Sequence, residues 1–223
     1  IYRNEAEVGE AVRASGIPRA EIFVTTKLWN DGHGYDATLR AFEASLAALG
    51  LDVVDLYLVH WPVAGRRAET WRAMEAILEG GRCRAIGVSN FTVRHLEELL
   101  QAARVVPAVN QVELHPFLQQ RELVDRCRRE GIAVEAYSPL TKGQRLEHPK
   151  LVDVARRLGR SPAQVLIRWS LEKDFIVIPK SAQPERIREN AAALDFELDG
   201  AALRALDALD ENLRTAWDPS AVP

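Results

Sequence analysis

Two proton-handling side chains stand at the ends of strand-like apolar runs, each close to a tryptophan. Lys27 ends a run that begins at about residue 21 and is followed by Trp29, and His60 ends a run that begins at about residue 53 and is followed by Trp61. Lysine and histidine commonly move protons in active sites. In a barrel of parallel strands, the carboxyl ends of the strands face the active site. The pair therefore predicts a reaction site with an apolar substrate rim.

Four further strand-like runs also end in polar, aromatic or basic side chains. These ends carry Ser89 and Asn90, Gln111, Tyr137 and Ser138, and Lys180 and Ser181. Polar residues placed at random would not collect at one end of every strand, so the pattern is stronger evidence than any single residue. Taken singly, Lys27 fits a salt-bridged lysine, His60 a core histidine and Tyr137 core packing. The pair 89–90 also fits a simple turn before a helix. A buried Gln111 amide needs hydrogen-bond partners, which an amide-bearing ligand would supply.

The stretch from 180 to 190 predicts a phosphate site. Lys180 and the hydroxyl of Ser181 lead into a helix that opens at Pro184 and bears Arg186. A helix N-terminus offers unpaired N–H groups and the positive end of the helix dipole, and arginine binds phosphate through two hydrogen bonds. A solvated, charged helix is the alternative. The position after the last strand, where barrels commonly bind phosphate, favours the phosphate site.

Two periodicities alternate along the chain and predict repeated strand–helix units. Short runs rich in Val, Ile and Leu occur at about 21–28, 53–60, 83–89, 107–114, 132–138 and 175–181. Helical periodicity fills the intervals, at about 38–49, 69–78, 121–129, 150–173, 185–194 and 199–209, with a further helix capped by Thr92. The strands are nearly continuous apolar runs, which is typical of a parallel sheet covered by helices on both faces.

This α/β pattern fits either a doubly wound sheet or a (β/α)8 TIM barrel. No G-x-G-x-x-G turn follows any strand, which argues against a doubly wound dinucleotide fold. The six strand-like runs are two fewer than a barrel needs, and the chain enters a helical pattern directly after Ile1. We therefore expect one barrel domain over residues 1–223 that is incomplete at its N-terminus, with the first two strands missing.

Composition excludes several other functions. The 223 residues are 47% hydrophobic and 27% charged, with a formal net charge of -3, so no global basic field would recruit nucleic acid or an anionic membrane. The two cysteines lie far apart, and neither a disulfide framework nor metal-ligand spacing is present. No metal is expected, and the cytoplasm is the expected location. His33, His95 and His148 are predicted at the surface.

Taken together, the motifs resemble the aldo-keto reductase family, whose members are NADPH-using (β/α)8 barrels. The matching segments, in chain order, are 26–29, 58–62, 86–91, 110–113, 137–140 and 178–181, with Arg186, Glu189 and Asn190 after them. Within the family the likeness is strongest to bacterial members similar to diketogluconate (diketogulonate) reductases. The resemblance implies reduction of small aldehydes, ketones or dicarbonyl compounds, including keto-sugar acids, by a monomeric enzyme.

The resemblance also assigns catalytic roles. Tyr2 would be the general acid that protonates the carbonyl oxygen. Lys27 would lower the pKa of that phenol, because a nearby cation favours the phenolate. His60 would orient the substrate carbonyl through a hydrogen bond. Trp29, Trp61 and Trp217 would line the substrate pocket.

The same resemblance implies a bound NADPH. Ser89, Asn90 and Gln111 would hold the nicotinamide carboxamide, and Tyr137 would stack on the ring, with Ser138 and Leu140 beside it in the same motif. The 2′-phosphate would be bound by Lys180, Ser181 and Arg186. The adenine would contact Glu189 and Asn190.

The sequence departs from the family pattern at two places. The family's catalytic Asp, five positions before the Tyr, would precede Ile1, so we expect a longer natural chain. The segment 215–219 replaces a Gly-Pro type segment, so Trp217 either narrows the pocket or lies in a loose terminus. Two alternatives to an enzyme remain: an NADP-binding regulatory subunit of the same fold, and a truncated product that folds poorly.

Overall fold

The computed structural model describes residues Ile1–Pro223 and contains six strands and nine α-helices that alternate along most of the chain. The strands are β1 (Thr25–Leu28), β2 (Val54–Val59), β3 (Cys83–Ser89), β4 (Val109–Glu113), β5 (Ala133–Tyr137) and β6 (Ile176–Val177). The helices are α1 (Glu5–Ala14), α2 (Tyr35–Leu49), α3 (Arg67–Glu79), α4 (Val93–Ala102), α5 (Arg121–Arg129), α6 (Pro149–Leu158), α7 (Pro162–Glu172), α8 (Pro184–Ala191) and α9 (Gly200–Asp207). All six predicted strands are present. None of the helices is both long and apolar enough to cross a membrane.

The strands β1, β2 and β3 lie side by side in chain order, and their register brings their carboxyl ends to one level. β1 pairs with β2 and β2 with β3, both in parallel, so that Leu28 lies opposite Val59 and Val59 opposite Val88. The residue that follows each of these three positions is therefore at the same edge of the sheet. This register explains why chemically active side chains at strand ends, including His60, come together.

The chain is divided into two compact units. The first comprises Ile1–Asn110, Glu130–Ile132 and Pro219–Pro223, and the second comprises Gln111–Arg129 and Ala133–Asp218. In the first unit every residue of β2 is buried, which is the reason for the continuous apolar run in its sequence. Leu56, Leu58 and Val109 form a core cluster there.

The helix α1 of the first unit packs against the end of α2 through Gly9. A Cβ atom at this position would lie 1.8 Å from the carbonyl oxygen of Leu49, so only glycine fits. Arg13 of the same helix donates to that carbonyl at 2.9 Å. The contact holds the segment that follows Tyr2 against the rest of the unit.

Local signals in the sequence explain most helix boundaries. Ser161 caps α7, with its hydroxyl accepting from the backbone of Gln164 while the Gln164 side chain accepts from the Ser161 backbone, and Pro162 occupies the first turn. Gly159 ends α6 in the left-handed conformation that such a helix end needs. The predicted final strand is too long: β6 ends at Val177, and Pro179 beyond it has no N–H to donate.

Two of the three histidines predicted at the surface are buried. His95 is completely buried because it occupies the third position of α4, where its ring nitrogen accepts from the backbone of Thr92, which caps the helix as predicted. His33 is buried beside Thr70, whose hydroxyl lies 3.3 Å from its Nδ1 atom. The surface prediction was wrong because each ring is buried beside a hydrogen-bond partner, which is local for His95 but 37 residues away for His33.

Candidate active site

The first unit brings the three predicted catalytic side chains together at the ends of β1 and β2. The Nζ atom of Lys27 lies 5.4 Å from the ring centroid of Tyr2, and the rings of Tyr2 and His60 are 5.9 Å apart. Trp29 packs edge to face on His60 at 5.1 Å. A phenol, an ammonium group and an imidazole thus share one site with an aromatic wall. Trp61, also predicted at the substrate rim, is half-buried after the end of β2.

Backbone and side-chain hydrogen bonds fix the position of His60. Its N–H donates to the carbonyl oxygen of Leu28 at 3.1 Å. Its own carbonyl oxygen accepts from Nδ2 of Asn90 at 3.0 Å, and the same Nδ2 lies 3.2 Å from the hydroxyl of Ser89. Asn90 has a left-handed backbone (φ 62°), which asparagine tolerates better than most residues. The hydrogen bond by which Asn90 holds His60 in place was not predicted from the sequence.

Burial keeps His60 neutral at physiological pH. Loss of hydration and, second, the charge of Lys27 lower the pKa of His60 to about 4. A neutral imidazole carries one N–H donor and one acceptor nitrogen. His60 can therefore donate a hydrogen bond to a carbonyl oxygen without being a competing source of protons.

The pKa of Tyr2 is shifted in the opposite direction to the one expected. Partial burial of the phenol raises the pKa of Tyr2 above its ordinary value, whereas the nearby Lys27 was expected to lower it. Loss of water around a phenol disfavours the phenolate. The side chain is otherwise exposed, so Tyr2 is a protonated group that remains accessible to a small molecule.

Acidification is expected to destabilise the protein through its buried histidines. Burial lowers the pKa of both His33 and His60 to about 4. The unfolded chain takes up protons on these residues below about pH 6.5, but the folded chain does not until about pH 4, so stability falls across that interval. Between pH 7 and pH 5, each histidine should remove about 2 kcal/mol from the free energy of unfolding.

Urea unfolding at pH 7 and pH 5 measures this loss. His33→Gln should reduce the difference between the two pH values by about 2 kcal/mol, because one titrating group is gone. The matched control is His148→Gln, since His148 is only half-buried. Equal pH dependence in the wild-type protein and His33→Gln would contradict the prediction.

In the second unit, a buried carboxylate supplies a partner for Gln111. The Nε2 atom of Gln111 donates to Oε1 of Glu135 at 2.9 Å, and both side chains are buried. A ligand is therefore not the sole source of hydrogen bonds for this amide. Sequence reasoning missed Glu135, although a charged residue in an apolar strand, two positions before Tyr137 and thus on the same strand face, was a usable signal.

Tyr137 and Ser138 lie where β5 ends. The carbonyl oxygen of Tyr137 accepts from the N–H of Leu114 at 3.3 Å, and both Tyr137 and Ser138 are half-buried. Ser138 has a left-handed backbone with φ 51°. The chain therefore turns sharply here and continues into the loop that contains Leu140.

The second unit also contains a cavity of about 290 Å³ that unites six predicted cofactor residues. These are Leu140, Lys180, Ser181, Arg186, Glu189 and Asn190. Two of the six are cations, and the cavity also receives the N-terminus of α7 through Ser161, Pro162 and Ala163. Both features favour an anionic group. Sequence reasoning treated Ser161 and Pro162 only as a helix start and missed them as cavity residues.

The adenine-side residues are held by the packing of α7 against α8. Nε2 of Gln164 donates to the carbonyl oxygen of Glu189 at 3.1 Å. Asn190 is buried, Glu189 is half-buried, and Arg186 projects as an exposed side chain. Trp217, predicted at the substrate pocket, is 69% exposed in the C-terminal segment. No group of three or more His, Cys, Asp or Glu side chains is arranged to hold a metal ion.

Comparison with known proteins gives the same family from sequence and from structure. The model of the aldo/keto reductase family matches residues 1–211. An uncharacterized oxidoreductase of Bacillus subtilis, YtbE, is 52% identical over 98% of this chain and 80% of that protein. The glyoxal reductase of the same organism is 49% identical over 98% of this chain and 79% of that protein.

Solved structures agree with the predicted fold. The structure of a Gox0644 mutant in complex with NADPH matches with a TM-score of 0.94 at 44% identity, covering 100% of this chain and 82% of that one. An aldo-keto reductase from a deep-sea metagenome library matches with a TM-score of 0.96 at 44% identity, over 100% of this chain and 83% of that one. The predicted α/β barrel class is confirmed, and the chain belongs to the aldo/keto reductase family.

Proposed function

We propose that this protein is an NADPH-dependent reductase of small aldehydes and ketones. The observation that carries the proposal is the convergence of Tyr2, Lys27 and His60 at the strand ends of the first unit. When bound, NADPH supplies the hydride that reduces the carbonyl carbon. The chain's own residues supply the proton, the orientation of the carbonyl and the binding of the cofactor's phosphate.

The cavity of the second unit fits such a cofactor. Lys180 and Arg186 bring two positive charges to it, and Ser181 contributes a hydroxyl. Arginine binds phosphate with two parallel hydrogen bonds, and lysine adds a point charge. This donor set supports recognition of the 2′-phosphate that distinguishes NADPH from NADH. Glu189 and Asn190 line the same cavity and are proposed to contact the adenine.

The carbonyl oxygen would receive its proton from Tyr2. This phenol is protonated at neutral pH, because the ordinary pKa of tyrosine is about 10 and burial raises it further. The neutral imidazole of His60 would donate a hydrogen bond to the same oxygen and aim it. Lys27, whose ammonium lies 5.4 Å from the Tyr2 ring centroid, would stabilise the phenolate that remains after transfer. The tryptophans Trp29 and Trp61 would form the apolar rim.

Small dicarbonyl compounds are the proposed substrate class. The relative named glyoxal reductase shares 49% identity with this chain, which supports this substrate class. The solved structure of the Gox0644 mutant contains NADPH, which supports the cofactor. Keto-sugar acids belong to the same proposal. Cys83 and Cys127 are buried and form no disulfide, which is compatible with a reducing cytoplasm. We also propose that the protein is a monomer with a single barrel domain. Light scattering measures its molecular mass and tests this.

Loss of NADPH absorbance at 340 nm with a panel of aldehydes, glyoxal and keto-sugar acids tests this function. Turnover should occur with NADPH, and should be much slower with NADH. A parallel measurement follows the quenching of tryptophan fluorescence when NADPH is added. Quenching without turnover of any carbonyl would overturn the reductase proposal and favour the cofactor-binding regulatory subunit.

A further inference from the structure

Glu113 is a completely buried carboxylate that the proposed reaction does not use. It lies at the end of β4 and accepts from three donors of the C-terminal segment: the N–H and hydroxyl of Thr215 and the N–H of Ala216. The backbone donors lie at 2.7 and 3.0 Å. Nε2 of His115 lies 3.3 Å from the same carboxylate. Thr215 is 102 residues away in sequence, so Glu113 is the anchor of a distant segment.

The carboxylate is ionised in the folded protein. Burial opposes the charge, but the hydrogen bonds from His115, Thr215 and Ala216 outweigh burial and lower the pKa of Glu113 to about 2. Hydrogen bonds to a charged acceptor are roughly twice as strong as neutral ones. The segment that ends in Trp217 is therefore held firmly at 215–216, and the interpretation of a loose terminus is wrong for these residues.

The same segment holds the loop that follows β5. Nζ of Lys142 donates to the carbonyl oxygen of Thr215 at 2.7 Å. Nε of Arg145 donates to Oε1 of Glu211, also at 2.7 Å. The loop 141–145 is thus attached at two points to a segment that Glu113 anchors.

This loop has a strained backbone. Ser138, Thr141 and Lys142 have φ values of 51°, 52° and 49°, a region that favours glycine. Thr141 is β-branched and is an outlier there. Such a conformation is unfavourable for a residue other than glycine, and it persists only where its surroundings hold it. The attachments to Thr215 and Glu211 are such surroundings.

Both ends of the loop reach the proposed cofactor cavity. Leu140 and Leu146 line that cavity together with Lys180 and Arg186. The loop between the two leucines therefore determines one wall of the space in which the phosphate-bearing part of NADPH would be bound. A change in the loop's conformation would change that wall.

We propose that Glu113 is a positioning residue for cofactor retention: by anchoring Thr215 and Ala216 it holds the Lys142–Arg145 loop as a wall of the cofactor cavity and slows NADPH release. The inference rests on the proposed function, because it takes NADPH as the occupant of the cavity. It adds a role for the C-terminal segment that does not require contact between that segment and the substrate.

The first test removes the anchor. Glu113→Gln keeps the size of the side chain but loses its charge and turns one acceptor into a donor. NADPH dissociation, followed by stopped-flow tryptophan fluorescence, should accelerate about tenfold or more. Glu113→Asp, which keeps the charge, should restore part of the retention. The matched control is Glu75→Gln, since Glu75 is a buried carboxylate that accepts from Arg104 and Val105 in the other unit.

The second test leaves the core intact. The double substitution Lys142→Met and Arg145→Met removes both attachments from exposed or half-buried side chains and should not impair folding. NADPH dissociation should accelerate about fivefold, while KM for the carbonyl changes little. Arg156→Met is the control, because Arg156 forms an exposed ion pair with Asp153 that does not touch the loop.

Hydrogen exchange of residues 140–146 without cofactor gives a readout independent of NADPH. Exchange should be faster in Glu113→Gln and in the double variant than in either control. Unchanged NADPH release in both variants, with NADPH still bound by the wild-type protein, would overturn this inference alone. Absence of NADPH binding by the wild-type protein would overturn the proposed function and, with it, the retention role.

Discussion

Replacing Tyr2 by Phe should lower kcat for carbonyl reduction by about a thousandfold or more, while the Kd for NADPH changes less than about twofold. The substitution removes only the hydroxyl. The ring remains, with its centroid 5.9 Å from that of the His60 ring and near the Lys27 ammonium. General acid catalysis by a positioned side chain contributes roughly a hundredfold to ten-thousandfold, so its loss should dominate the rate. Since the lesion lies in proton transfer, KM should move far less than kcat.

The appropriate control for Tyr2→Phe is Tyr35→Phe. Tyr35 is another exposed tyrosine, at the start of α2, and its hydroxyl has no part in the proposed chemistry. Turnover of this variant should equal that of the wild-type protein. NADPH binding by tryptophan quenching should be retained in both variants. If Tyr2→Phe reduces aldehydes at the wild-type rate, Tyr2 is not the acid and another proton source must be sought.

Replacing Arg186 by Ala should weaken NADPH binding about tenfold to a hundredfold and NADH binding less than about threefold. Arg186 lines the cavity at the start of α8 with Lys180 and Ser181. Its guanidinium would pair with the 2′-phosphate, a group that NADH lacks. The charge-assisted, two-point contact is therefore lost for one cofactor only. The ratio of the two Kd values, measured by fluorescence titration, is the quantity that reports the contact.

Arg188→Ala controls for loss of positive charge. Arg188 lies in the same helix and is exposed, but it does not line the cavity. Its removal should change both Kd values slightly and equally, and raising the salt concentration should reduce the small effect further. Equal weakening of NADPH and NADH by Arg186→Ala would refute recognition of the 2′-phosphate by this residue.

Short-range sequence signals predicted the elements well. The limits of α5 match the prediction at both ends, and the Thr92 and Ser161 caps lie where polar residues precede helical periodicity. These features depend on neighbours within one helical turn. β6 was overestimated because apolar residues at 175–178 continue past the point where Val177 ends the ladder. An apolar run in the sequence indicates that its residues are buried, but it does not indicate which of them pair with a neighbouring strand.

Long-range pairings escaped sequence reasoning. Gln111 pairs with Glu135, 24 residues away, and Glu113 pairs with Thr215. Asn90 was recognised as a site residue, but its hydrogen bond to the carbonyl of His60 was not predicted. In each case the sequence shows the type of the side chain. The path of the folded backbone determines which of many polar groups becomes its hydrogen-bond partner. No periodicity in the chain encodes such a choice.

The sequence by itself determined the family, the α/β class, the order of the strands and the residues that stand at strand ends, because motifs, periodicity and capping are local properties. Only the tertiary structure decided the electrostatic state of those residues. Burial raises the pKa of Tyr2 and lowers that of His60. The extent of burial depends on packing by residues that are distant in the sequence. Hydrogen bonds from His115, Thr215 and Ala216 outweigh burial and keep Glu113 ionised, so that it anchors a segment 102 residues away.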